Sequence, residues 1–161
     1  MLNSRRLMAD GLPPKATSRL LHWLVRAGAD EFTVTVMGIH GEVAADADAF
    51  EDAIEPFVVG LARRRVLVDA DGAGSTREVR VFTFSDASLD SLLPFISDGL
   101  FHNVPGPGGW LEDFAFYRNG ELLLGVVTHL QEGTLRLTTD EHAEVAKMGV
   151  VSTESEEWIG Y

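Results

Sequence analysis

LEDFAFYRNGELLLGVVTH, residues 111–129, places Asn119-Gly120 between two apolar runs, Leu111 to Arg118 and Glu121 to His129. A two-residue type I′ turn needs positive φ at both central positions, which Asn tolerates and Gly adopts freely, so this dipeptide predicts a β-hairpin. Register follows by counting outward from Arg118 opposite Glu121. Phe116 then faces Leu123, Phe114 faces Gly125 and Glu112 faces Val127 on one side. Tyr117 with Leu122, Ala115 with Leu124, and Asp113 with Val126 lie on the other.

A second turn at Leu130 to Gly133 leads into Thr134 to Thr138 and completes a C-terminal three-stranded meander. If Thr134 pairs with His129, Leu135 and Leu137 join Tyr117, Leu122, Leu124 and Val126, and that face is assigned to the core. The opposite face carries Phe114, Phe116, Leu123 and Val127 inside a rim of Glu112, Arg118, Glu121, His129 and Arg136. An apolar centre with a charged rim has the anatomy of a protein interface. The competing reading places a helix across the same face.

Upstream, Pro13-Pro14 opens a helix whose apolar stripe is Leu20, Leu21, Leu24 and Val25 and whose stop is Gly28. Glu31 to Ile39 alternates as a half-buried strand. Asp48 and Glu51 form a capping pair for a helix with Phe50, Ile54, Phe57 and Leu61 at helical spacing, and Pro56 kinks or ends it. Strands are expected at Arg65 to Asp69 and Arg77 to Phe84, then a short helix capped by Asp86 and bearing Leu89, Leu92, Leu93 and Ile96. The fragments Pro56 to Leu61 and Pro94 to Leu100 resemble each other and hint at a strand-helix repeat. Thr138 with Glu141 makes a capping box for a last helix ending near Gly149. The expected fold is α+β: a mixed, mainly antiparallel sheet of about five or six strands with helices packed on it. Residues 1–149 form one domain, and 150–161 an acidic tail whose Trp158, Ile159 and Tyr161 suit docking on the body.

The 161 residues carry a net charge of −12. Residues 31–62 contribute −7 and 81–161 contribute −10, against +3 in 1–30 and +2 in 63–80. Such acidity repels phosphate backbones and anionic membranes, so nucleic acid and membrane are excluded as partners and a basic protein is favoured. Arg63-Arg64-Arg65 reads as cations favouring the negative end of the preceding helix. No run approaches a membrane span, and the first twelve residues hold no signal-peptide core, which points to a cytoplasmic location. Without cysteine, disulfides, thiolate sites and a cysteine nucleophile are excluded.

Motifs for chemistry are sparse. Asp69-Ala70-Asp71-Gly72 opens like a calcium loop, but Ala73 replaces a ligand and Arg80 stands where the bidentate acid belongs. Gly106-Pro107-Gly108-Gly109 lacks the strand and helix of a phosphate-binding fingerprint. The histidines, at positions 22, 40, 102, 129 and 142, have no metal-ligand spacing, so neither a metal nor a cofactor is assigned. His40 with Glu42, or His129 with His102 and Asp113, converge only if the fold brings them together.

In general composition the chain is similar to small acidic immunity and antitoxin proteins that mask cationic toxins. That likeness implies a non-enzymatic protein binding a basic partner, with Phe114, Phe116 and Leu123 as anchors and Glu112, Glu121 and His129 at the rim. The alternative is a small-ligand enzyme or sensor. Its pocket lies under the irregular loop 102–110, with Trp110 as a wall and His102, Asp113 or His129 as polar groups. A homodimer through the same Phe114 face is the third option.

Overall fold

In the computed structural model the residues described are 1–38, 47–67, 74–106 and 109–154. Among these residues there are four helices: α1 (Pro14–Arg26), α2 (Ala47–Ile54), α3 (Asp86–Leu92) and α4 (Thr139–Ala146). The strands are β1 (Asn3–Met8), β2 (Glu31–Gly38), β3 (Val58–Leu67), β4 (Gly74–Thr83), β5 (Val104–Gly106), β6 (Gly109–Arg118), β7 (Glu121–Val127), β8 (Glu132–Leu137) and β9 (Ser152–Glu154). They form one sheet in the order β3-β4-β2-β6-β7-β8-β1-β9, with β5 paired to β6. The α+β class and the β6-β7-β8 meander stand. The expected five or six strands become nine, every described pairing is antiparallel rather than mixed, and β1, β5 and β9 are the additions.

Those three strands lack the periodic pattern that identifies a strand locally. β1 is held by β8, with Asn3 opposite Leu137, and β9 is held by β1, with Arg5 opposite Glu154. Part of the stretch assigned to the tail is therefore in the sheet, and Val150 beside it is buried. Trp158, Ile159 and Tyr161 lie outside the described residues, as do His40, Glu42 and the Asp69 to Ala73 loop.

Local chemistry explains most element boundaries. Pro14 starts α1, and Gly28 follows it at φ 89°. Thr138 and Glu141 cap α4 reciprocally, as expected. At α3 the cap is Ser85, partnered by Ser88, one residue before the expected Asp86. Pro56 ends α2 more completely than a kink would. After a single tight turn at Glu55–Phe57 the β-branched Val58-Val59 start β3, so Leu61 is an exposed strand residue and Arg63-Arg64-Arg65 lie within a strand, not at a helix end. Arg64 instead pairs with Glu31 through two hydrogen bonds of 2.7 and 2.8 Å. The two proline fragments share a short 3-10 turn, but only the first runs into a strand.

Both faces of the central sheet are buried. The larger core joins Leu20, Leu21 and Leu24 of α1, Phe50 and Ile54 of α2, and Leu89 and Leu92 of α3 to Phe32, Phe82, Phe114 and Phe116 of the sheet. On the reverse face the far end of β3 folds back over β7. Leu67, Ala115, Tyr117, Leu122 and Val127 form a second, smaller core there. The Tyr117 hydroxyl donates to the Arg65 carbonyl at 2.9 Å and lies 3.3 Å from the Thr33 hydroxyl. Gly125 leaves the room this needs, since a Cβ at that position would lie 3.1 Å from the Leu67 side chain.

Candidate functional site

The Asn119-Gly120 turn forms as expected, with φ of 52° and 78° and Arg118 opposite Glu121. The register holds for one further pair, Tyr117 with Leu122, and then slips: Phe116 faces Leu124 and Ala115 faces Gly125. Leu123 is the extra residue of a β-bulge, and because strand side chains alternate, one added residue exchanges the faces beyond it. Leu124, Val126, Leu135 and Leu137 therefore share the larger core with Phe114, Phe116 and Leu123, while Tyr117 and Leu122 sit in the smaller one.

This corrects the interface drawn from the sequence. Phe114, Phe116 and Leu123 are each 0% exposed. Phe114 meets the Phe50 ring of α2 at 6.1 Å, and Phe116 meets Phe84 at 4.9 Å. Helices cover this face, so its aromatic residues are fold anchors and are not available to a partner or a second copy. Of the rim, Glu121 and His129 are exposed. Arg118 bonds the Ala27 carbonyl and the Glu141 carboxylate, tying the turn to α1 and α4. The guanidinium holds the Glu141 carboxyl below the usual carboxylate range.

The alternative pocket is corrected in part. Val104 to Gly106 is strand β5, paired with the start of β6, so much of the expected irregular loop is a ladder. Trp110 is 47% exposed rather than a pocket wall, and His102 is exposed beside Gly99. Asp113 and His129 do converge, with Glu112 as the third member in place of His102. One ligand atom from each of Glu112, Asp113 and His129 lies within 4.8 Å of the others.

A second bulge produces that convergence. Neighbouring strand residues normally point to opposite faces, which by alternation alone separates Glu112 from Asp113. Opposite β2, however, Thr33 pairs with Ala115 and Thr35 pairs with Glu112, so Asp113 and Phe114 share one partner position. Asp113 takes φ 57°, a left-handed conformation that re-aims its side chain. Thr128 secures it from both directions. The Thr128 amide donates to the Asp113 carboxylate at 2.6 Å, and the Thr128 hydroxyl accepts from the Asp113 amide at 3.0 Å. His129 is the next residue, so the clamp also delivers the imidazole.

Electrostatically the cluster disfavours its own anions. Burial, then the neighbouring Asp113 charge, raises the Glu112 carboxyl above its ordinary range, and His129 opposes the shift. Burial likewise raises Asp113, against the Thr128 amide bond and His129. One sequence signal marks this place: two adjacent acids interrupt an otherwise apolar alternation, as bulges often do.

A second surface gathers six exposed acids. α2 and α3 pack against each other, with Phe50 of α2 meeting Phe95 just beyond α3 at 5.2 Å. Asp48, Asp52 and Glu55 line the outside of α2 and its following turn, and Asp86, Asp90 and Asp98 the outside of α3 and beyond, all exposed. Arg80 is held by Glu51 and Glu55 at the edge of this face.

No protein family, curated protein or solved structure matches the chain. Among the described residues, no helix is long and apolar enough to cross a membrane.

Proposed function

We propose that the protein is a non-catalytic binding protein whose α2–α3 face engages a basic protein partner, in the manner of an immunity or antitoxin protein. The observation that carries this reading is the group of six exposed carboxylates, Asp48, Asp52, Glu55, Asp86, Asp90 and Asp98, on two adjoining helices and the segments that follow them, of which Glu55 also pairs with Arg80. Asp48 with Asp52, and Asp86 with Asp90, are like charges four residues apart. Such pairs cost an isolated helix about 0.2–0.5 kcal/mol each. Asp48 and Asp86 favour the first turns of their helices, but Asp52 and Asp90 add like charge beside them; a cationic partner would be steered by all four and wrong partners repelled.

The test is capture from a lysate with the wild-type chain and with Asp52→Lys/Asp90→Lys, at low and at raised salt. Basic proteins retained by the wild type, lost from the variant and released by salt are the expected result. An identical set on both chains would remove the face from consideration. Both positions are exposed, so the double variant is expected to fold, its stability changing by no more than about 0.5 kcal/mol per site.

A further inference from the structure

We infer that Glu112, Asp113 and His129 form a binding site for one first-row divalent transition ion of the Zn²⁺ or Mn²⁺ type. Two carboxylates and an imidazole make a donor set of hard and borderline character: the imidazole disfavours Ca²⁺ and Mg²⁺, and the lack of sulfur disfavours Cu(I). Ligands held about 2.0–2.2 Å from one ion lie roughly 3–4 Å apart. The three donor atoms already lie within 4.8 Å of one another, so a small side-chain adjustment closes the set.

A second observation, separate from the clustering, points to a ligand. Glu112 is 5% exposed, yet its carboxylate accepts no hydrogen bond from any described residue, and it is directed at the other two donors. A carboxylate on a side chain this deeply set, without a protein partner, is disfavoured, and a bound cation offsets that. Thr128 acts as a positioning residue: it occupies one Asp113 oxygen at 2.6 Å and leaves the other free. Exposed His129 opens the site to solvent and supplies an entry path, with remaining coordination positions left to water.

The site shares no residue with the α2–α3 face, so failure of one reading leaves the other standing. The full chain, stripped by chelator, is dialysed against Zn²⁺ and, separately, Mn²⁺, and its metal content and melting temperature are measured beside His129→Ala and Glu112→Gln. The expected result is one ion per chain, a raised melting temperature, and affinity lowered at least about tenfold in each variant. Circular dichroism checks that both variants fold, and the exposed position of His129 makes its replacement the safer one. The wild-type chain supplies an independent measurement: substoichiometric Mn²⁺ broadens the His129 ring resonances before those of His22 or His102. No uptake overturns the inference, as does uptake that both variants retain or broadening centred on a different histidine.

Discussion

Tyr117 holds a phenol beneath the returning end of β3, where it bridges the Arg65 carbonyl and the Thr33 hydroxyl. Burial pushes its pKa up to about 12, so it stays neutral and keeps a proton to donate. Tyr117→Phe removes the hydroxyl's donation to the carbonyl and is expected to cost about 0.5–1.5 kcal/mol, read from urea unfolding midpoints; an unchanged midpoint would mean that the bridge adds nothing. His142 is buried in α4 and donates from Nε2 to the Asn3 carbonyl at 2.9 Å, which fastens β1. Burial foremost, with Arg5 assisting and the Asn3 bond and Glu141 opposing, holds it below its ordinary 6.5. The unfolded chain therefore takes up this proton before the folded one does. The contribution is complete above pH 6.5 and is lost as pH falls from there through the folded value. In unfolding experiments between pH 8 and 5, wild type should lose more stability than His142→Gln; parallel curves would exclude the histidine. Glu112 has the opposite sign. Its raised pKa makes the ionised form a cost at neutral pH, so Glu112→Gln should stabilise the metal-free chain while weakening any cation binding.

At the scale of elements, glycine positions show how closely the meander strands approach. A Cβ on Gly133 would lie 2.6 Å from the Gly125 carbonyl oxygen, a backbone atom that cannot turn away. A Cβ on Gly125 would meet only side chains, Leu67 at 3.1 Å and Leu122 at 3.5 Å. Gly133→Ala is thus expected to destabilise more than Gly125→Ala, the latter by about 1–3 kcal/mol, and the reverse order in denaturant titrations would contradict this packing. Helix ends were the most legible part of the chain. The Thr138 and Glu141 capping box and the Pro14 start of α1 need only neighbours within a turn. The Asn119-Gly120 turn was legible for the same reason. Its strands were readable for two cross-strand pairs and no further, because the bulge at Leu123 is imposed by packing on both faces. Three leucines in succession, Leu122 to Leu124, suit a strand buried on both sides, and alternation alone does not say which of them is unpaired.

For the whole molecule, charge and closure matter most. A net charge of −12 is self-repelling. Added sodium chloride should therefore raise the melting temperature, most steeply at low ionic strength; a falling temperature would mean that the ion pairs Arg64 with Glu31 and Arg118 with Glu141 outweigh the repulsion. The acidic face and the donor cluster were legible to different degrees. Asp48, Asp52, Asp86 and Asp90 fall on the outer faces of helices recognisable from spacing, so their exposure follows from the sequence. Strand alternation puts Asp113 on the opposite face from Glu112, so their meeting with His129 is not legible in the sequence. Composition, charge, turn type and capping are short-range properties, and the amino-acid sequence determined them without help from the fold. The partners of β1 and β9, the two bulges, the burial of Phe114 and Phe116, and the meeting of two carboxylates with one imidazole were decided only by tertiary structure. Each depends on pairing and packing between segments distant in sequence, where a shift of one residue exchanges the faces of a strand.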